Sequence, residues 1–354
     1  MRLAALLLLV ISLTAGCDGD EPGDSHGWRR LPDAPLAGRT GATVVGIGSQ
    51  VYVFGGWEFL CPPGADCGGP SEKFADGAVL DLDSEEWQPI ADAPFGFTGG
   101  STAVLGGEIY VLPRRELLRY SPQDDTWTRL GRLPRHVGSA LVATDHGLLA
   151  LAGTEEHGSP RDAVYDPASG TWTVLPDDPL PASFDRFAVP DSDRLLLFGS
   201  PIPERQDQAV TTKAVAAFDW ATGTWTELSP APAGGFQAWR AGERVFLNPH
   251  FSRDGGGLLD LATDTWAPIP DEGSGWDGDA AGVVRADGAT YEYAEGWVFD
   301  ARDDSWFEVP DRGGDAYDEA AAAAGQALVV FGGQSWRGSE GELLSETWVW
   351  RPPA

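Results

Sequence analysis

An all-β chain assembled from a repeated four-stranded sheet is what this sequence predicts, on three observations. The first is a unit of Asp, then Trp six residues later, then an aliphatic residue three further on. It occurs at Asp81, Trp87 and Ile90; Asp166, Trp172 and Leu175; Asp219, Trp225 and Leu228; Asp260, Trp266 and Ile269; and Asp300, Trp306 and Val309. Ser121, Trp127 and Leu130 make a further copy with Ser in the Asp place. Successive Trp residues stand 40 to 53 apart, the length of one four-stranded sheet with its turns. The second observation is composition: 354 residues hold 46 Gly, 27 Pro and 15 Trp against a single Met, with almost no run of helix formers. The third is a second apolar hairpin upstream of several units, at 43–45 with 51–54, 102–105 with 109–112, 140–143 with 148–151, and 189 with 195–198; the segment 327–331 fits the same pattern.

Each strand of the repeat, a to d, has a local reason. In Tyr165-Asp166-Pro167-Ala168-Ser169-Gly170-Thr171-Trp172 the c strand ends, turns and restarts as d. The Asp carboxylate accepts from turn amides, Pro fixes φ, and Gly takes the positive φ that the turn requires. Trp then opens strand d, where its ring can pack between neighbouring sheets. The chain ends complete the pattern. The last repeat offers 328–331 and 347–350 but stops before a strand d, whereas Trp28-Arg29-Arg30-Leu31-Pro32 is a strand d with nothing before it. Pairing 28–31 with 347–350 would hide both sheet edges. The expectation is a seven-bladed β-propeller of four-stranded antiparallel blades over residues 28–354, closed by its N-terminal strand.

Phe54-Gly55-Gly56 and Phe331-Gly332-Gly333 end strand b with a double glycine. Together with the Asp…Gly-Thr-Trp units they resemble the kelch repeat, as found in the central domain of galactose oxidase. The third repeat has Ala152-Gly153 and the fourth Phe198-Gly199 in that place, and the second, fifth and sixth lack it. The copper radical chemistry of that family needs a Tyr–Cys crosslink, for which the cysteines of this chain are unsuitably placed. Other exported kelch-like proteins act on sialic acid anomers with Arg and acidic residues.

Before the repeats, Arg2 and an apolar run over 3–13 make a signal peptide too short to span a bilayer. Leu13-Thr14-Ala15-Gly16-Cys17 resembles the lipobox of bacterial lipoproteins, which implies cleavage after residue 16 and acylation of Cys17. A plain secretory signal cut near Ala15 is the alternative. Residues 17–27 are an acidic tether. The expectation is an exported protein, lipid-anchored on the outer side of a bacterial membrane. Cys61 and Cys67, in a Pro/Gly-rich loop, are expected to form a disulfide after export, with a metal site or free thiols as alternatives.

A net charge of −30 with only Lys73 and Lys213 as lysines repels phosphate backbones and excludes nucleic acid as a natural partner. In a four-stranded meander the a–b and c–d turns share one face, and the b–c and d–a connections share the other. The second set is long here, at 57–77, 153–162, 199–212 and 334–345, and long loops on a rigid scaffold build binding surfaces. Arg39, Arg135 and Arg186 each fall just before a strand a. By the kelch resemblance they imply a pocket for a carboxylate or sugar acid, with His136, Trp57 and Trp276 adding to it; salt bridging among the 54 acids is the alternative. The loop 271–279 lacks the spacing of a calcium loop. No catalytic residue, metal or cofactor is assigned. Two functions stand: a monomeric, surface-tethered module binding a glycan, peptide or protein, and a carbohydrate-active enzyme, mutarotase-like or lyase-like, with an Arg-lined pocket.

Overall fold

The computed structural model describes residues 27–68, 72–156, 158, 161–205, 210–232, 235, 237–248, 255–270, 281–285, 288–290, 296–300 and 304–351. The signal segment, Cys17, nearly all of the tether, Trp276 and the 271–279 loop lie outside the described residues. Among the described residues the fold is all-β, with one 3₁₀ turn at Pro113–Arg115. Among the described residues the strands form seven four-stranded sheets and one three-stranded sheet.

Sheet 1 contains Thr43–Ile47, Gln50–Phe54, Gly77–Asp81 and Glu86–Ile90, and sheet 2 Ser101–Leu105, Glu108–Leu112, Glu116–Ser121 and Thr126–Arg132. Sheet 3 contains Ala140–Thr144, Gly147–Leu151, Ala163–Asp166 and Thr171–Val174, and sheet 4 Ser183–Asp191, Arg194–Pro201, Thr212–Asp219 and Thr224–Pro232. Sheet 5 contains Ala238–Ala241, Arg244–Leu247, Gly257–Asp260 and Thr265–Ala267. All five are antiparallel meanders. In sheet 7, Ala320–Ala324, Ala327–Phe331 and Thr347–Trp350 are joined by Trp28–Arg30, with Trp28 opposite Trp350 and Arg30 opposite Trp348.

Sheet 6 departs from the expected antiparallel meander. Ala281–Arg285 sits between Gly288–Thr290 and Gly296–Asp300 and runs parallel to the latter. This repeat lacks the double glycine, and its second strand, Gly288–Thr290, is only three residues long. A second departure is at 334–345, expected as a loop. Gln334–Arg337 and Glu340–Leu343 form a hairpin there, and Ala316–Tyr317 adds the third strand.

The second strand of each meander is a continuous apolar run because its two faces serve two different cores. Val51 and Val53 pack with Val329 and Phe331 of sheet 7, whereas Tyr52 and Phe54 pack with Val111 and Leu118 of sheet 2. Leu148 and Ala150 face sheet 2; Leu149 and Leu151 face sheet 4. Leu196 and Phe198 meet Val245 and Leu247 of sheet 5, and Phe246 meets Phe299 of sheet 6. Val309, on the strand Ser305–Val309 that completes sheet 6, packs with Trp28, Leu328 and Trp350 of sheet 7. The first strands also run side by side from sheet to sheet, from sheet 1 through sheet 6, and 320–324 lies beside 43–47.

The repeated Asp and Trp do what their chemistry allows. Asp81 accepts from the amides of Asp83 and Ser84 at 2.9 and 3.1 Å, and Asp260 from Ala262 and Thr263 at 2.8 and 3.0 Å. These amides hold both carboxyls below the usual carboxylate range. The Trp indoles staple sheets together. Trp127 donates to Ala91 O, Trp225 to Pro176 O, Trp266 to Ser229 O, Trp306 to Pro270 O, Trp28 to Pro310 O and Trp87 to Pro32 O, at 2.5 to 3.1 Å. In every case the acceptor lies four residues after the Trp of the preceding sheet. Trp172 makes no such bond. Its acceptor would be Gly131, where a bulge between Leu117 and Leu118 shifts the register of sheet 2.

Candidate functional site

The long connections are fastened by buried polar side chains. Arg39 is fully buried in the segment that enters sheet 1. Its guanidinium donates to both carboxylate oxygens of Asp76 at 2.7 and 3.1 Å, to Gly55 O at 2.9 Å and, through Nε, to Ala37 O at 2.9 Å. It also lies 4.2 Å over the ring of Phe74. Its backbone reaches the other way: Arg39 N–H donates to Leu344 O, and Arg39 O accepts from Gly333 N–H. The double glycines explain the close approach. Gly56 has φ +92°, and a Cβ there would stand 2.9 Å from Thr40 O; Gly332 has φ +72°, and a Cβ would stand 2.7 Å from Arg39 O.

Arg186 plays the same part between sheets 3 and 4. Its side chain is 1% exposed and donates to Ala152 O at 3.1 Å, to Asp162 at 3.0 Å and to Asp178 at 2.7 Å, with Glu155 3.9 Å away. A cavity of about 240 Å³ beside it is walled by these carboxylates together with Arg161 and Asp177. Burial pushes the Asp162 carboxyl up, against the pull of Arg186 and the amide of Ala152. Arg39 and Arg186 thus close their guanidiniums on the protein's own carboxylates, on different sheets, and do not meet in one pocket. The salt-bridged alternative describes both. Arg135 and His136 are exposed, and His136 O accepts from Arg161 N–H at 2.6 Å.

Trp57 is half-buried and stacks on Phe59, with centroids 4.3 Å apart. Cys61 and Cys67 are disulfide-bonded, with their Cα atoms 5.8 Å apart. That loop is knitted to the three-stranded sheet: Gln334, fully buried, accepts from Cys61 N–H at 2.9 Å and from the Trp336 indole at 3.1 Å, and donates to Asp318 at 2.6 Å. Tyr317 donates its hydroxyl to Cys61 O at 2.6 Å. Sequence reasoning missed Gln334, Asp76, Asp162 and Asp178, because each takes its meaning from a partner on another connection. Lys213 carries no sequence signal of its role either; it is buried and donates to Ser200 Oγ at 2.7 Å, and burial lowers its pKa.

No family profile matches the chain. It is similar to "Kelch-like protein 25" of Xenopus tropicalis, 27% identical over 270 residues, which are 68% of this chain and 42% of that protein. It is similar to "Beta-scruin" of Limulus polyphemus, 22% identical over 217 residues, 56% of this chain and 23% of that protein. It is also similar to "Kelch-like protein terF" of Aspergillus terreus, 25% identical over 296 residues, 70% of this chain and 61% of that protein. The matched region spans less than two thirds of each of these relatives. With the indole staples and the sheets already described, these similarities support a kelch-repeat β-propeller.

Proposed function

We propose that residues 28–354 are a closed seven-bladed propeller that presents its long-loop face to a protein partner. In this reading the domain is monomeric, exported, and held outside a bacterial membrane by a lipid on Cys17. The closed ring draws support from the pairing of Trp28–Arg30 with Thr347–Trp350 and from an apolar cluster at each junction between successive sheets. The observation that carries the function is the fastening of the long connections. Arg39, Arg186 and Gln334 each commit a buried polar side chain to fixing the long connections. A pre-ordered loop surface binds without the entropy cost of ordering itself. The kelch-repeat relatives fit a protein-interaction module. The carbohydrate-active alternative needed three arginines around one closed pocket, and two of the three are held elsewhere.

The test is site-specific photo-cross-linking in cells that make the protein. One probe replaces Leu60, 41% exposed on the long-loop face, and another replaces Ser84 on the short-turn face. A discrete protein adduct from position 60 and none from position 84 is expected, in the membrane fraction, with Cys17→Ala releasing the protein. Equal labelling from both faces, or adducts to glycan alone, overturns the protein-partner reading; unchanged fractionation of Cys17→Ala overturns the tether.

A further inference from the structure

A cavity opens on the opposite side of the molecule from the long connections. It measures about 480 Å³ and lies between the first strands of sheets 2 to 5, at the end where their short a–b turns emerge. Its walls are mixed: Val104, Leu105, Ala188 and Val189 and the rings of Trp239 and Trp220 supply apolar surface beside Arg194 and Arg240. Both indoles are half-buried and held. Trp220 stacks on His146 at 4.4 Å and meets the edge of Phe218 at 5.0 Å, and Trp239 leans on Phe246 at 6.1 Å.

Arg194, Arg240 and Asp145 line the cavity, so two arginines come together here in a chain that is acidic overall. Asp191 is buried, 6% exposed, and carries two guanidiniums. Arg194 donates to Oδ2 through Nε at 3.2 Å and Nη2 at 2.8 Å, and Arg240 Nη1 lies 3.0 Å from Oδ1. Both oxygens of Asp191 are therefore taken, and the trio keeps one positive charge. Arg240 Nη1 is itself buried and lacks an aligned hydrogen-bond acceptor. A half-buried guanidinium that shares one carboxylate with a second arginine has hydrogen-bonding capacity left for a further anion. The exposed Asp145 at the rim sets a negative charge near the mouth, where solvent screens it. The cavity volume suits a small molecule, and flat aromatic walls suit a planar apolar body.

We propose that this cavity is a binding site for a small carboxylic acid with a planar apolar body, its carboxylate on Arg240 and Arg194 and its body against Trp239 and Trp220. The site stands whether or not the long-loop face has a partner, since it shares no residue with that face.

The experiment is isothermal titration of the purified protein with benzoate, phenylacetate and indole-3-acetate, each beside its uncharged amide. At least one acid is expected to bind saturably, with its amide about tenfold weaker or worse, the scale of one charge-assisted contact. Arg240→Gln should abolish the preference for the acid, and Trp239→Ala should weaken acid and amide alike while keeping it. Arg135→Ala, on the other face, should bind as the parent does. Circular dichroism melts establish that each variant is folded, and the Trp239→Ala result carries the test if Arg240→Gln is not. Absence of saturable binding by all three acids, equal affinity for acid and amide, or unchanged binding by folded Arg240→Gln overturns the proposal.

Discussion

At the scale of single residues, the arginines show how little a position in the chain says about what a guanidinium does. Arg39, Arg135 and Arg186 look alike in the sequence, each just ahead of a strand a. Their fates depend on carboxylates delivered from elsewhere in the chain: Asp76 reaches Arg39 from 37 residues away, and Asp162 and Asp178 reach Arg186 from 24 and 8. Among the described residues no such carboxylate meets Arg135, which is exposed. The difference is measurable. Arg39→Ala removes hydrogen bonds to a carboxylate and two carbonyls at a fully buried site, and should lower stability by about 3 kcal/mol. Arg135→Ala should change it by less than about 0.5 kcal/mol, as exposed substitutions do. Chemical denaturation of the two variants side by side checks both; equal effects would mean that Arg39 does not hold the junction between sheets 7 and 1.

At the scale of elements, the sequence was most legible where one local feature determines the structure. The c–d hairpins follow from Asp, turn residues and Trp, and the upstream hairpins from short apolar runs. The run Ala320–Ala324 favours helix by propensity alone, yet it forms a strand, because pairing with 327–331 and the narrow space beside 43–47 outweigh a few tenths of a kilocalorie per residue. The hairpin at 334–343 reads as a loop because Gln-Ser-Trp-Arg-Gly-Ser-Glu-Gly-Glu-Leu has no apolar alternation, its stability coming from Gln334 and the disulfide loop instead. The indole staple adds a rule that spacing alone did not disclose: the acceptor lies four residues past the Trp of the preceding sheet. It predicts a contrast. Trp266→Phe keeps the ring but loses the bond to Ser229 O, for about 1 kcal/mol. Trp172→Phe, where the bulge at Gly131 has removed the acceptor, should cost less than half as much in the same denaturation assay.

At the scale of the whole molecule, alternate faces of each second strand bind the chain into a series of sheets, and the question is whether that series joins its own beginning. Leu31 N–H donates to Thr347 O at 2.9 Å, which makes Arg30 and Trp348 the adjacent non-hydrogen-bonded pair, where opposite side chains stand closest. A disulfide fits such a pair. The decisive measurement is therefore the state of an Arg30→Cys/Trp348→Cys variant, made with Cys17→Ala, in the folded and oxidised protein. A closed propeller predicts an intramolecular disulfide between the two introduced cysteines in the monomer by mass spectrometry, and a denaturation midpoint higher when oxidised than when reduced, by up to about 5 kcal/mol of added stability. Free thiols or only intermolecular bonds in a folded monomer preparation would show that the two ends do not pair, and the ring would be open.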